Sequence, residues 1–330
     1  MTQPPANVVP VCYRHPDRET YVRCTRCDRP ICPNCMNEAS VGFQCPECVR
    51  EGARTQRPVR TAFGGGTQGA AGTVTITLIV LNVLVFIASV ISSGSAESLA
   101  GGGMGGLFGG VTPLHEWGAL TTYRNIPLED AEHNPYYRIL AGGMVDGEYY
   151  RLFTAMFLHY GILHLLLNMW VLWVLGRPLE AALGRGRFLA LYLVAGLGGS
   201  VATFLLASPF ALSAGASGAI YGLFGALIVV MRKMRRSVAG IVPVLVFNLI
   251  ITFTVPGISI TGHLGGLAVG AVAAAALAYA PRARRTTVQA AGLAAIVVLL
   301  LAATVVRSVS VEKLPVGRVV NSDMQVVSEN

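Results

Sequence analysis

Seven apolar runs separated by short polar connections dominate the chain, at about residues 73–92, 152–175, 188–206, 216–231, 238–255, 259–280 and 287–306. A bilayer core needs about 20 apolar residues per helix, and these runs come close to that length with scarcely a charge in them. The pattern predicts seven membrane-spanning helices. The fourth run is short and follows Ser208-Pro209, so the loop 207–215 is expected to dip into the protein and the helix to begin below the membrane surface. Irregular backbone at depth persists only where protein or a water-filled cavity satisfies its polar groups, which hints at a site. Ahead of the first run the pattern changes: residues 1–50 are polar and hold every cysteine, and residues 51–72 are basic and glycine-rich. The chain therefore divides into a head (1–50), a linker (51–72) that should lie near anionic headgroups, a membrane body (73–306) and a tail (307–330).

Composition narrows the class. Of 330 residues 53% are hydrophobic and 13% charged, against roughly 25% charged in a soluble domain. That excludes a lone water-soluble enzyme, and the high hydrophobicity excludes intrinsic disorder. A net charge of +8 would suit nucleic acid, but its distribution points elsewhere. Nineteen of the 25 basic residues precede the first run or lie in the connections after the second, fourth and sixth. The long connection 93–151 has three Arg against seven acidic residues. By the positive-inside rule the N-terminus is cytoplasmic and the C-terminal tail extracytoplasmic, in a multi-pass protein of the cell membrane. The charge is topology, and no nucleic-acid partner is expected. That same outer loop carries a glycine-rich stretch (Gly101 to Gly110), and its His115 and His133 lack metal-ligand spacing.

The head reads Cys12-x2-His15, Cys24-x2-Cys27, Cys32-x2-Cys35 and Cys45-x2-Cys48. Eight soft ligands in four pairs are enough for two tetrahedral zinc ions. Only four residues separate Cys27 from Cys32, too few for neighbouring pairs to share an ion comfortably. A cross-braced pairing follows: Cys12, His15, Cys32 and Cys35 on one Zn2+, and Cys24, Cys27, Cys45 and Cys48 on the other. A cytosolic head keeps its thiols reduced, so disulfides are the weaker alternative. Closed four-ligand sites leave no position for substrate, so the zinc is structural and catalysis needs no cofactor. The head resembles B-box-type zinc fingers, and could also dock a cytosolic protein partner.

Polar groups inside the membrane are costly and mark function. His164 and Asn168 share one face of the second run, a helical turn apart. Gly218 and Gly222 line one face of the fourth, and Gly262, Gly266 and Gly270 one face of the sixth; such faces allow close backbone approach. Ser217 and His263 sit beside these faces. At a rise of ~1.5 Å per residue, Ser217 lies roughly 22 Å from the inner surface, His263 roughly 27 Å and His164 roughly 20 Å. If the glycine faces pack together, a hydroxyl meets an imidazole, which is the nucleophile–base arrangement of acyl transfer. His164, Asn168 and the Ser217 N–H could stabilise the oxyanion. No carboxylate is available nearby, so something else must orient His263, and Tyr221, one turn after Ser217, is placed to pack against that ring. His159 and Asn248 read as structural, Asn248 by bonding a neighbouring helix.

The order His159, His164, Asn168, then Gly215-Ala-Ser217-Gly218 with Tyr221, then Gly262-His263, resembles the rhomboid intramembrane serine proteases. So does Gly147-Glu-Tyr-Tyr150-Arg151-Leu-Phe-Thr, with Tyr150 where the family has Trp. The resemblance covers about residues 73–282. It implies an all-α polytopic membrane protein with a rhomboid-like six-helix core, here with a C-terminal seventh helix and preceded by the zinc-binding head. It implies Ser217 as nucleophile, His263 as base, and transmembrane proteins in the lipid bilayer as substrates, reached laterally between helices. The alternative is a catalytically silent relative that binds or chaperones transmembrane segments, although such a protein would be expected to lack Ser217 or His263.

Overall fold

The computed structural model describes residues 9–55, 60–66, 72–95, 110–129 and 135–328. Residues 101–109 of the glycine-rich stretch, His133, and residues 56–59 and 67–71 of the linker lie outside these ranges. The chain falls into two compact units, Met1–Val59 and Arg60–Asn330.

The first unit has little regular structure: a 3-10 turn at Pro33–Cys35, a hairpin of β1 (Asn37–Glu38) and β2 (Phe43–Gln44), and helix α1 (Pro46–Thr55). Six of its seven cysteines are buried and, with Ile31, form its interior. So small a core needs another source of stability, which in small domains is commonly a metal or disulfides. None of the cysteines is in a disulfide. Helix α1 carries the head a few residues past the boundary expected at residue 50.

The second unit is a helical membrane fold. Its elements are α2 (Thr73–Ser93), two short helices α3 (Pro113–Gly118) and α4 (Arg151–Thr154), then α5 (Gly161–Leu183), α6 (Arg185–Leu206), α7 (Ser217–Lys233), α8 (Val242–Thr254), α9 (Ile260–Ala278) and α10 (Arg285–Ser310). Helices α2, α5, α6, α9 and the stretch Arg282–Ser310 are long and apolar enough to cross a membrane. Helices α7 and α8 are shorter, at 17 and 13 residues. Gly215 at φ 140° blocks earlier helix before α7; Gly240 and Pro243 delimit the start of α8, and Pro256-Gly257 follows its end.

The expected seven spans are thus five helices of spanning length and two shorter ones, and their connections gather at two ends of the bundle. At one end the turn 60–66 meets the α5–α6 junction, where a Cβ on Gly65 would stand 2.7 Å from Gly184 Cα, and Arg285 at the start of α10 donates to the Ala62 carbonyl. At the other end the α2–α5 connection and the tail share an antiparallel sheet, β3 (Arg124–Glu129), β4 (Pro135–Leu140), β5 (Val319–Asn321) and β6 (Val326–Ser328) in that order. Tyr137 pairs with Val320 across β4 and β5. Phe210, from the α6–α7 loop, joins Tyr123, Ile139 and Val320 in the apolar cluster beneath. Loops after the first, third and seventh helices thus meet at one end, which requires an even number of crossings between each of them. The tail is therefore a structured partner of the α2–α5 connection, which its sequence did not announce.

The second apolar run departs from expectation. It was expected to be one helix over 152–175, but 151–157 form α4 and a 3-10 turn, Leu158 is extended, Gly161 takes φ 76°, and α5 then runs eight residues further than predicted, to Leu183. Leu152, Ala155, Met156, Phe157 and Leu158 are buried as a separate segment, so burial rather than helix continuity made that run apolar. Its longer end brings Glu180, expected in a loop, inside the bundle at 0% exposure. The Glu180 carboxylate accepts the Val74 and Thr75 N–H groups at 3.0 and 2.8 Å and the Thr75 hydroxyl at 2.8 Å. The residue before α2, Gly72, has no side chain to cap the helix, so a glutamate from α5 satisfies its orphan donors and complements its dipole. A carboxylate with three donors is tolerated where a bare one would not be. Glu180→Ala should destabilise the protein by about 2 kcal/mol or more, lowering the thermal unfolding midpoint in detergent; an unchanged midpoint would contradict this role.

Candidate functional site

The packing of α7 against α9 creates the site. A Cβ on Gly266 would collide with the Gly218 carbonyl, and one on Gly270 with the Gly222 backbone. Gly199 of α6 joins them, its added Cβ standing 2.7 Å from the Gly262 carbonyl and 3.2 Å from Gly218 Cα. Three backbones thus touch where any side chain would push them apart. Ser217 opens α7, and His263 sits in the first turn of α9, whose start is fixed by the Ser259 hydroxyl accepting the Gly262 N–H at 3.1 Å. The result is a hydrogen bond of 2.8 Å between Ser217 Oγ and His263 Nε2. Tyr221 stacks on the His263 ring at 4.0 Å between centroids and 13° between planes.

Thr252 of α8 completes the arrangement, and sequence reasoning missed it. Its Oγ1 is 2.8 Å from His263 Nδ1 and 2.9 Å from the Asn248 carbonyl; Tyr221 Oη is 2.7 Å from that carbonyl and 2.5 Å from Thr252 Oγ1. A carbonyl only accepts. Both the Thr252 and the Tyr221 hydroxyls reach that carbonyl; in the arrangement where Thr252 donates to it, Oγ1 accepts the His263 Nδ1–H and Nε2 faces Ser217 unprotonated. The available signal was the i, i+4 pair Asn248 and Thr252 on one face of the fifth apolar run. Asn248 itself does not bond a neighbouring helix through its side chain, which donates to Val244 of its own helix; its carbonyl is the group that reaches across.

The other expected residues line the same space. A cavity of about 970 Å³ is bounded by His164 and Asn168 of α5, Ser217 and Tyr221 of α7, Thr252 and His263. A Cβ on Gly215 would lie 3.1 Å from His164 Nε2 and 3.5 Å from Ser217 Oγ, so both groups face the space that this glycine leaves open. Asn168 donates one amide hydrogen to the His164 carbonyl at 2.9 Å, leaving its second donor. The turn before Ser217 is held from below: Ala155 accepts the Gly215 N–H at 2.9 Å, and His159, fully buried, lies 3.5 Å from the Ala216 N–H. His115 lies in the long connection between the first and second runs, yet it is not exposed. It is buried in α3, stacked on Tyr160 at 4.5 Å, and its Nδ1 lies 2.9 Å from the Thr112 hydroxyl. Arg151, 1% exposed, donates to Glu148 and to the Ala119 carbonyl, both at 2.7 Å, and Tyr150 stacks on Trp117 at 5.1 Å. Burial would raise the Glu148 pKa, but the Gly143 N–H and the Arg151 guanidinium hold it below the usual value.

In the head, Cys12, His15, Cys32 and Cys35 form one cluster and Cys24, Cys27, Cys45 and Cys48 another, each with ligand atoms within 4.8 Å of one another. His15 presents Nδ1, at 3.8, 3.3 and 3.4 Å from the sulfurs of Cys12, Cys32 and Cys35. The Cys27 and Cys45 sulfurs are 3.8 Å apart. A tetrahedral zinc with bonds of about 2.3 Å to sulfur has edges of about 3.8 Å. The two clusters could each bind a metal ion. Arg29 donates to Cys27 Sγ at 3.3 Å and to Cys45 Sγ at 3.8 Å, an outer contact suited to four thiolates.

Residues 146–280 match the family profile described as the Rhomboid domain. Over 139 residues the chain is 47% identical to Rhomboid protease GluP of Bacillus subtilis (strain 168), covering 41% of this chain and 27% of that protein. It is 35% identical over 134 residues to Putative rhomboid protease YdcA of the same organism, covering 39% of this chain and 67% of the relative. RHOMBOID-like protein 5 of Arabidopsis thaliana is 35% identical over 133 residues, 38% of this chain and 43% of that one. The matched region thus spans about a quarter of GluP and two thirds of YdcA. The family match leaves residues 12–48 outside it.

Proposed function

Because the chain belongs to the rhomboid family, we propose that it is an intramembrane serine endopeptidase that cuts transmembrane segments of other membrane proteins. The observation that carries this reading is the 2.8 Å contact of Ser217 Oγ with His263 Nε2, with Thr252 on the far side of the ring. Ser217 Oγ attacks the substrate carbonyl as His263 Nε2 takes the hydroxyl proton. The tetrahedral oxyanion lies in the space beside Gly215, where the Ser217 N–H at the start of α7, His164 and the second Asn168 donor converge. His263 then gives its proton to the leaving amine, whose C–N bond breaks to leave an acyl-serine. Water attacks that ester by the same route in reverse and frees Ser217. Tyr221 fixes the plane of the imidazole by stacking, and Thr252 fixes its tautomer, the task an aspartate performs in a triad.

The site lies at the end of the bundle where the connections are poor in basic residues, so cleavage falls near the extracytoplasmic face of the membrane, with the N-terminal head in the cytoplasm. The head is a small domain built around two structural zinc ions, in the cross-braced pairing of its two clusters. A catalytically silent relative would need neither the Ser–His contact nor a third residue directing its tautomer. The dyad favours the enzyme.

Purified protein in liposomes should cleave a transmembrane substrate with a helix-destabilised outer segment, and Ser217→Ala should not. Equal cleavage by both would end the proposal. Thr252→Val should lower kcat by about 10- to 100-fold with KM nearly unchanged, whereas Thr252→Ser, which keeps the hydroxyl, should retain most activity; a Val variant as fast as wild type would remove Thr252 from the account. For the head, elemental analysis of the full chain should find about two zinc ions per molecule, falling to one in Cys24→Ser/Cys45→Ser. A metal-free wild type would refute it.

A further inference from the structure

Five arginines that the hydrolytic site does not use surround a second cavity of about 370 Å³: Arg60, Arg187, Arg282, Arg284 and Arg285. It lies where α6 and α10 begin, and α6 ends at the loop leading to Ser217, so this is the opposite end of the bundle. Among the described residues no carboxylate comes within 4.0 Å of any of the five. Like charges are instead held together. A Cβ on Gly64 would stand 3.4 Å from Arg285 Nη1 and 3.5 Å from Arg187 Nη2, so both guanidinium groups face one point. Arg187 is fixed there by Gln289, 3% exposed, whose Oε1 accepts its Nε at 2.7 Å. The Gln289 amide donates in turn to the Phe63 and Leu277 carbonyls at 3.2 and 2.7 Å, tying α10 to the turn 60–66 and to α9.

The helix start adds a second attraction of the same sign. Helix α10 has no side-chain cap and no acidic residue in its first turn. It is entered from a 3-10 turn, Arg282–Arg284, in which the Arg284 N–H donates to the Pro281 carbonyl, so the positive end of its dipole has no acidic side chain to answer it. Thr286 and Thr287 of that turn line the cavity. The positive-inside rule accounts for arginines on this side of the membrane. It does not account for their convergence on one concavity beside an uncapped helix and a buried glutamine that aims one of them.

We propose that this cavity binds the phosphate of an anionic membrane lipid, and that the bound headgroup clamps α10 and the turn 60–66 to the core. The guanidinium groups supply forked donors matched to phosphate oxygens. The ends of the flanking helices place the cavity at headgroup level, where a lipid phosphate is present at high local concentration and a free one is not.

The test uses the full chain in nanodiscs of phosphatidylcholine with phosphatidylglycerol, followed by stepwise delipidation and native mass spectrometry. Wild type should retain phosphatidylglycerol at least tenfold over phosphatidylcholine. Arg282→Gln/Arg284→Gln removes two exposed side chains with no hydrogen bond among the described residues and should lose most of that preference, at roughly fivefold per arginine. Arg232→Gln/Arg236→Gln, which removes the same charge from the same end outside the cavity, should keep it. Absence of a preference in wild type, or an equal loss in both variants, would overturn the proposal. A parallel titration with inorganic phosphate separates the sources: displacement of the lipid only at concentrations far above the lipid's supports the headgroup, while thermal stabilisation by micromolar phosphate in lipid-free detergent would transfer the site to a free anion and overturn the lipid assignment.

Discussion

Close approach of α7 and α9 is the constraint on which the site rests. Glycine inside a helix costs about 1 kcal/mol relative to alanine, and this bundle places Gly218, Gly222, Gly262, Gly266 and Gly270 along a single seam, with Gly199 of α6 against it. That expense has a geometric return. Ser217 and His263 have short side chains, and they meet at 2.8 Å because neither helix holds the other away. The same crowding makes the contact rigid, since no side chain on the seam can change rotamer to open it. Tyr221 and Thr252 then hold the imidazole itself, so packed backbones set the approach of the pair and side chains set the orientation of the ring.

The wiring behind the base follows from the solvent it works in. A carboxylate beside His263 would have to be buried at membrane depth, where ionised groups are expensive. In the proposed mechanism Thr252 and the Asn248 carbonyl take the orienting task with neutral groups, Thr252 lying against His263 Nδ1 and reaching the carbonyl behind it. Helix α8 supplies both, yet Leu245 and Thr252 are its only buried residues. Its seat on the bundle is therefore slight, and one of its two anchors is the residue that meets His263 Nδ1. The fold does accept a buried carboxylate at the other end of the bundle, in Glu180, where three donors from the start of α2 meet it. Charge is tolerated where helix termini answer it.

Much of this was legible in the sequence because it is written in local spacing. The glycine faces, the Ser217 and His263 positions beside them, the stacking of Tyr221 one turn on, and the sorting of the head's ligands into two sets all follow from residue intervals and helical period. What escaped depends on contacts that spacing does not encode. Thr252 is an ordinary residue in an apolar run, distinguished only by where α8 docks. The sheet that joins Arg124–Leu140 to Val319–Ser328 pairs strands separated by most of the chain. The break at Leu158–Gly161 hid inside an apolar run because burial in a folded segment and burial in lipid select the same residue types. His115 looked like a loop histidine for the converse reason, since nothing local signals that Tyr160 will cover it.

The central claim is that Ser217 is made nucleophilic by His263, and covalent labelling by a small fluorophosphonate in liposomes tests it most directly. Intact mass and peptide mapping should find one adduct per chain, on Ser217, and His263→Ala should abolish it while leaving the protein folded. An adduct on another residue, or labelling of Ser217 that persists at full rate without His263, would contradict the account.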